Sequence, residues 1–123
     1  MATISDRVFD NGLSVLDTEA NAVHITSQEA TDFTGATATF TLGNSSSISI
    51  GAPADRAGGG REVTLAAVLD GSVTSTGTAT HYAIVDTVGT RLLATGALAI
   101  SQTVTSGNTF SLSTVVVGIP DPA

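Results

Sequence analysis

The chain lacks three residue types entirely, and each absence narrows what it can do. Among its 123 residues there is no cysteine, no tryptophan and no lysine. Without cysteine, disulfide bonds, thiolate catalysis and zinc sites built on thiolate ligands are excluded. The compartment stays open, because cysteine-free chains suit a cytosol and equally suit surroundings in which the redox state varies.

Positive charge is also scarce. Eleven acidic residues face four arginines, which gives a net charge of −7 at pH 7. Because so few cations cannot neutralise a phosphate backbone, we expect no direct binding to nucleic acid. The same balance argues against docking on an anionic membrane surface.

The chain has no long apolar run. Its first residues, MATISDRVFDNG, contain acids and no hydrophobic stretch, which argues against a signal peptide. The longest apolar runs are only a few residues, too short to span a bilayer. We therefore expect the chain to be made and folded in a cytoplasm.

Aromatic residues are few, with four Phe and one Tyr. The length fits one domain with a single core and is too short for two domains of ordinary size. A core built from Ala, Val, Leu and Ile buries less area per residue than one rich in aromatics. Because small domains gain stability by burying surface against copies of themselves, we expect a homo-oligomer.

What the chain does have is a long series of short, threonine-rich segments. From about Val63 to Ile119, hydrophobic and polar residues alternate between glycine turns. Alternation with a period of two is typical of half-buried strands. Such strands, spaced about ten residues apart, predict an all-β fold: a single antiparallel β-sandwich or small barrel.

The pattern divides the chain into three parts. Residues 1–12 form a short N-terminal arm, residues 13–118 the β-sandwich domain, and residues 119–123 a C-terminal tail. The prolines of the tail cannot pair in the interior of a sheet.

Two interpretations of the arm are open. In the first, Ser5 caps a short helical turn over residues 6–10, which ends at Asn11-Gly12 because both residues tolerate positive φ. In the second, Asn11-Gly12 is a hairpin turn between two short strands.

Strands and turns can be placed along the rest of the chain. The predicted strands are residues 13–16, 22–26, 37–42, 47–50, 63–67, 73–78, 81–85, 91–95, 97–104 and 109–117. Turns are predicted at Asp70-Gly71, residues 86–89 and residues 106–108. The loop of residues 51–60, with Pro53 and three consecutive glycines, is longer than most hairpin connections. We expect it to cross between sheets or to reach a neighbour.

Candidate catalytic groups are few and scattered. His24 and His81 are the side chains that titrate near neutral pH, but two histidines without cysteine fall short of a zinc site. The serines at 45–47 lack a G-x-S-x-G elbow, and the glycines at 58–60 precede a strand and do not open a helix. Spacing alone leaves paired carboxylates for sugar hydrolysis open, but there is no tryptophan to hold a sugar. We expect no enzymatic activity, no metal and no cofactor.

Two arginines flank the glycines of the long loop. Arg56 and Arg61 each carry a planar guanidinium that matches a carboxylate. We expect both side chains to anchor the loop to carboxylates of a partner.

Three stretches of the chain are distinctive: ISDRVFDNGLSVLDTEA near the start, GGGREVTLAAVLDG with GTATHYAIVD in the middle, and SGNTFSLSTVVVGIPDP at the end. Together they resemble small virion structural proteins of tailed bacteriophages, nearly from end to end. The shared motifs are strand and turn patterns, not catalytic signatures. The resemblance implies a virion component of the kind encoded among head and tail genes.

From this resemblance we expect a capsid decoration, or cement, protein on the capsid surface, assembled in the host cytoplasm. Its partner is then the major capsid protein, and three-fold symmetry would suit many positions on a shell. An arm can add a strand to a neighbour's sheet edge through main-chain hydrogen bonds. The expected interface residues are Ala2, Thr3, Ile4, Ser5, Arg7, Phe9, Arg56 and Arg61.

Two alternatives stay open. A tail or head–tail connector subunit would assemble as a ring, and a six-fold assembly would favour it. A carbohydrate-binding module on a sandwich scaffold would use aromatic platforms, for which the chain offers Tyr82 and no tryptophan.

Overall fold

The structure, a computed structural model, describes residues 6–120, and for residues 6–9 it describes the backbone alone. The elements in chain order are helix α1 (Asp6–Glu19), β1 (Ala22–Thr26), a π-helix (Gly35–Thr39), β2 (Thr41–Ser45), β3 (Ala54–Asp55), β4 (Arg61–Leu65), β5 (Val68–Val73), β6 (Gly77–Asp86), β7 (Arg91–Val104), β8 (Thr109–Leu112) and β9 (Val115–Ile119). The predicted all-β class is confirmed.

The strands form two antiparallel sheets. The first has six strands in the order β7-β6-β1-β2-β5-β8 and curls into a half-barrel. The second is small, with the order β3-β4-β9. Among the described residues, β7 and β8 are therefore the two edge strands of the curled sheet.

One hydrophobic cluster joins both sheets and the helix. Its least exposed members are Val23, Ile25, Val63, Leu65, Ala79 and Ile84. Alternate residues of each strand supply this cluster, as the period-two pattern predicts.

The six-stranded sheet is also covered on its other face, around β1 and β6. A second, smaller cluster combines Ala22, Ala83 and Val85 of the sheet with Ala30 and Ala36 of the segment after β1. As a result, all five residues of β1 are buried. The small alanine side chains let this segment lie close to the sheet.

Residues 13–16 continue helix α1, so the predicted strand there is wrong. The helix does not end at Asn11-Gly12, and no hairpin turn forms at these residues. Leu13 and Leu16 are both buried and lie three positions apart, which places them on one face of the helix. Packing of this face outweighs the penalty of one glycine in a helix, about 1 kcal/mol.

The predicted boundaries of the arm and of the tail both fall within secondary-structure elements. The boundary between residues 12 and 13 falls inside α1, and Ser5, the predicted cap, lies outside the described residues. Strand β9 includes Ile119, the first residue of the predicted tail, and residues 121–123 also lie outside the described residues.

The predicted strand at residues 37–42 is wrong over most of its length, because residues 35–39 form a π-helix. Local hydrogen bonds explain the difference. The Asp32 carboxylate accepts the Gly35 N–H at 2.6 Å, and the Thr37 hydroxyl donates to the Phe33 carbonyl at 2.8 Å. Such side-chain bonds to the nearby backbone compete with sheet pairing.

The predicted turn at Asp70-Gly71 is wrong as well, since both residues lie inside β5. Gly71 is paired with Phe110 of β8, and a methyl group at position 71 would overlap the Phe110 ring. Glycine is required here for the close approach of a neighbouring side chain, not for a turn.

Two other strand predictions differ from the structure. Residues 47–50 form no strand; Ile50 makes one isolated bridge to Leu65. The predicted strand 73–78 is divided, because Val73 ends β5 and Gly77 begins β6.

The second half of the chain follows the prediction more closely. The strand predicted at residues 81–85 lies within β6, and those at 91–95 and 97–104 are one strand, β7. The turn at residues 86–89 is confirmed, and so is the turn at residues 106–108, where Gly107 has φ +91°. The predicted strand 109–117 is two strands that belong to different sheets, β8 and β9.

Candidate partner interface

Arg61, the first residue of β4, connects three parts of the fold. Its Nε donates to Asp10 Oδ1 at 2.9 Å, and its Nη2 donates to Asp10 Oδ2 at 3.3 Å. Its Nη1 donates to Asp55 Oδ1 at 2.7 Å. One guanidinium thus holds helix α1, strand β3 and strand β4 together.

The rest of the long loop is a short hairpin. After β3, the chain turns back through three glycines, and the Arg56 N–H donates to the Gly60 carbonyl at 3.1 Å. Gly60 has φ +92°, and a methyl group at this position would overlap the Ile119 carbonyl. The glycine run therefore serves the tight return of the chain alongside β9.

Arg56 lies on this hairpin. Its Nη1 donates to the carbonyls of Gly59 at 3.2 Å and Ala57 at 3.4 Å, so the guanidinium braces the turn. Its Cδ and Nε lie against Gly118 of β9. We call the surface formed by Asp10, residues 52–60 and Arg61 the loop end.

The expected interface residues are placed as follows. Ala2, Thr3, Ile4 and Ser5 lie outside the described residues. The backbone of Arg7 and of Phe9 belongs to the beginning of α1. Arg56 and Arg61 are brought together at the loop end, where Arg61 pairs with carboxylates of its own chain. A contact of either arginine with a partner stays a prediction.

A second surface was missed by the sequence reasoning. Opposite Thr80 of β6, four residues of β7 form a bulge without partners on β6, because His81 pairs with Ala97 whereas Ala79 pairs with Gln102. The bulge is residues 98–101, and its Leu98, Ala99 and Ile100 form one wall of a groove whose other wall is residues 111–116. Two adjoining cavities of about 220 and about 340 Å³ make up the groove.

The groove runs between the two edge strands of the curled sheet, β7 and β8. The Gln102 side-chain amide donates to the Ser111 carbonyl at 2.8 Å and so links β7 to β8. Leu98 packs inward against the main core, whereas Ile100 at the bulge is 80% exposed. Val116 on the opposite wall is 53% exposed.

The groove carries no formal charge. No Asp, Glu, Lys or Arg occurs between Arg91 and Asp121, so β8, β9 and all of β7 after Arg91 are uncharged. In a chain of net charge −7, this is a marked segregation, and it could have been noticed in the sequence. We call the surface of residues 97–102 and 111–116 the neutral groove.

The two histidines lie on neighbouring strands, which the sequence separation did not suggest. His81 of β6 pairs with Thr26, and His24 lies two positions before Thr26 on β1. His24 Nδ1 is 2.8 Å from Thr41 Oγ1, and His81 Nδ1 is 2.8 Å from Thr80 Oγ1. Burial lowers the pKa of His24. Both rings therefore bond to threonine hydroxyls of the sheet.

Among the side chains of residues 10–120, no group of three or more His, Asp or Glu could hold a metal ion. Asp86, which is buried, accepts the N–H groups of Val88 and Gly89, each at 3.0 Å, and so stabilises the turn between β6 and β7. No α-helix in the same part of the chain has the length and apolar character needed to cross a bilayer.

No family model matches the chain, and neither the curated proteins nor the solved structures compared with it contain a match.

Proposed function

We propose that the chain is a structural protein of a tailed-phage virion that decorates the head shell and acts through its surfaces, not by catalysis. One observation carries the proposal. The loop and the beginning of α1, two segments that the sequence nominates independently for partner contact, meet at one surface through Arg61, Asp10 and Asp55.

The position of α1 supports a role for the arm. Residues 2–5 directly precede Asp6, and Asp6 lies only about 6 Å along the helix axis from Asp10, at 1.5 Å per residue. An arm that leaves the domain here starts beside the loop end. A neighbouring shell subunit could then be contacted by both segments at once.

The chemistry of such a contact needs no special side chain. An extended arm pairs with the edge of a partner's sheet through main-chain hydrogen bonds. Many copies of the chain on one shell would strengthen the binding, because linked contacts raise the total affinity without any new kind of interaction. A compact antiparallel domain with short turns suits this role.

Nothing in the described residues favours the carbohydrate-binding alternative. The aromatic side chains of Phe33, Phe40 and Tyr82 are half-buried and Phe110 is buried. A flat, exposed aromatic ring of the kind that stacks on a sugar is therefore missing among residues 10–120.

Location in the particle tests the proposal directly. Density for this chain on the outer surface of the head shell, in an electron cryo-microscopy reconstruction of the intact virion, is the expected result. Density along the tail or at the head–tail joint would overturn the decoration role in favour of the connector alternative. Absence from purified particles would overturn both.

Binding to shells that lack the chain tests the arm. A variant without residues 2–5 should fold normally and bind shells at least about tenfold more weakly, since strand addition supplies main-chain bonds. Deleting residues 2–9 is a poorer test, because it also removes the beginning of α1. Val88→Glu, on the exposed turn after β6, is the control that should bind like the unmodified chain. Equal binding by the truncated variant would count against the arm.

A further inference from the structure

The neutral groove and the bulge beside it form a self-complementary surface. We propose that a second copy of this chain docks here across a two-fold axis, so that Ile100 of each copy enters the groove of the other. This inference is independent of the proposed virion role.

The first support is the pairing of a projection with a cavity. Ile100 projects from the bulge with 80% of its surface exposed, and Val116 on the opposite wall is 53% exposed. Both line the groove, together with Leu98, Ala99 and Leu112. Placing an isoleucine side chain in this groove removes apolar surface from water on both copies, which favours association.

The second support is electrostatic. Two copies of a chain with net charge −7 repel each other wherever their acidic surfaces meet. None of the side chains that line the neutral groove is a carboxylate. The lack of acidic side chains also favours a second copy over a basic partner, because a basic partner would have no carboxylate in the groove with which to form an ion pair.

The geometry favours a two-fold axis. Ile100 and the cavities lie side by side, so a two-fold axis lets each copy place its Ile100 in the groove of the other. Such a mutual contact is isologous and closes as a dimer. A three-fold ring, which the sequence suggested for a shell protein, would need the two features on separate surfaces.

The bulge also determines how the edges meet. An unprotected edge strand invites continuous pairing with another chain, and a bulge turns the edge away. With four residues of β7 looped out opposite Thr80, an unbroken sheet across the dimer is blocked. Side chains at the bulge, Ile100 foremost, therefore make the contact.

The residues of the loop end do not line the neutral groove. Strand β9 reaches from Val115 at the groove to Ile119, next to Gly60 and the hairpin. These two residues are four positions apart on the strand, which is roughly 13 Å at about 3.3 Å per residue. A dimer would thus present two loop ends. Shell binding and dimerisation use different residues, so the loss of one can be measured separately from the loss of the other.

Sedimentation equilibrium of the purified chain over a wide dilution series tests the proposal. We expect a species of twice the 12.2 kDa mass of one chain. Ile100→Glu places two like charges in the contact and should raise the dissociation constant by about a hundredfold or more. Val88→Glu adds the same charge at an even more exposed apolar residue, on the turn after β6, and should leave the dimer intact. Circular dichroism checks that both variants fold.

Disulfide trapping gives a second, independent measurement in this cysteine-free chain. Copies with Ile100→Cys, mixed with copies with Ser113→Cys and oxidised, should form mixed dimers, because Ser113 lines both cavities. Copies with Val88→Cys should not. A monomer at the highest concentration, a trimer, or a dimer that survives Ile100→Glu would each overturn the proposal.

Discussion

Arg61 and Asp10, 51 residues apart in sequence, form a two-point ion pair at the side of helix α1. The arginine side chain is 17% exposed and that of the aspartate 35%. A second carboxylate, Asp55, meets the same guanidinium but is 88% exposed. The two acids therefore make the same kind of contact in different surroundings.

Asp10→Asn should lower the free energy of unfolding by about 1 kcal/mol, because a partly shielded, two-point contact loses its charge. Asp55→Asn should change it by less than about 0.5 kcal/mol, since an exposed pair is screened by water and salt. Urea unfolding monitored by circular dichroism measures both. Equal losses from the two variants would show that the shielding of Asp10 contributes nothing.

Gly71→Ala should be one of the most damaging single-methyl changes in the chain. The added methyl group would overlap the Phe110 ring, and this ring is 3% exposed in the core. Forcing the ring aside costs roughly 1–3 kcal/mol, the usual range for overpacking. The midpoint of urea unfolding should fall accordingly.

Gly12→Ala provides the matched comparison. Its added methyl group would sit 3.8 Å from Ile119 Cδ1, an ordinary contact, and the residue lies inside α1. Replacing glycine by alanine within a helix stabilises by roughly 0.5–1 kcal/mol. If Gly12→Ala destabilised the protein as much as Gly71→Ala, the helix or its packing on β9 would have to be different.

These glycines also show where sequence reasoning succeeds and where it stops. Near Gly107 the local pattern was sufficient, because a short polar turn between alternating segments is specified by adjacent residues. Gly12 and Gly71 resemble turn residues equally well in sequence. The role of Gly12 depends on Ile119 and that of Gly71 on Phe110. Both partners lie far along the chain, so a local sequence pattern does not reveal either contact.

The candidate surfaces divide in the same way. Arg61 was nominated from its chemistry, but its pairing with Asp10 could not be foreseen, because it follows from the packing of α1 against the small sheet. The neutral groove is different. Its signal, the absence of charge after Arg91, was present in the sequence, whereas the bulge that projects Ile100 depends on the register between β6 and β7.

His24 should make the protein sensitive to acid. Burial lowers its pKa from 6.5, so the folded state holds the ring neutral while the unfolded chain takes up a proton. Where the unfolded state binds more protons, stability falls as the pH falls. The penalty is absent above pH 6.5 and grows below it, at up to about 1.4 kcal/mol per pH unit, until the pH reaches the lowered pKa of the folded state.

His24→Gln isolates this contribution. A glutamine amide can still bond to the Thr41 hydroxyl but does not titrate, so the variant should lose less stability than the unmodified protein between pH 7 and pH 5. His81→Gln is the control, because it keeps His24 and should keep the acid sensitivity. Urea unfolding at several pH values measures the difference. An equal loss of stability with falling pH in His24→Gln and in the unmodified protein would contradict the prediction. The proton responsible would then be taken up elsewhere, and the sheet around β1 would accommodate a charged imidazole despite its burial on both faces.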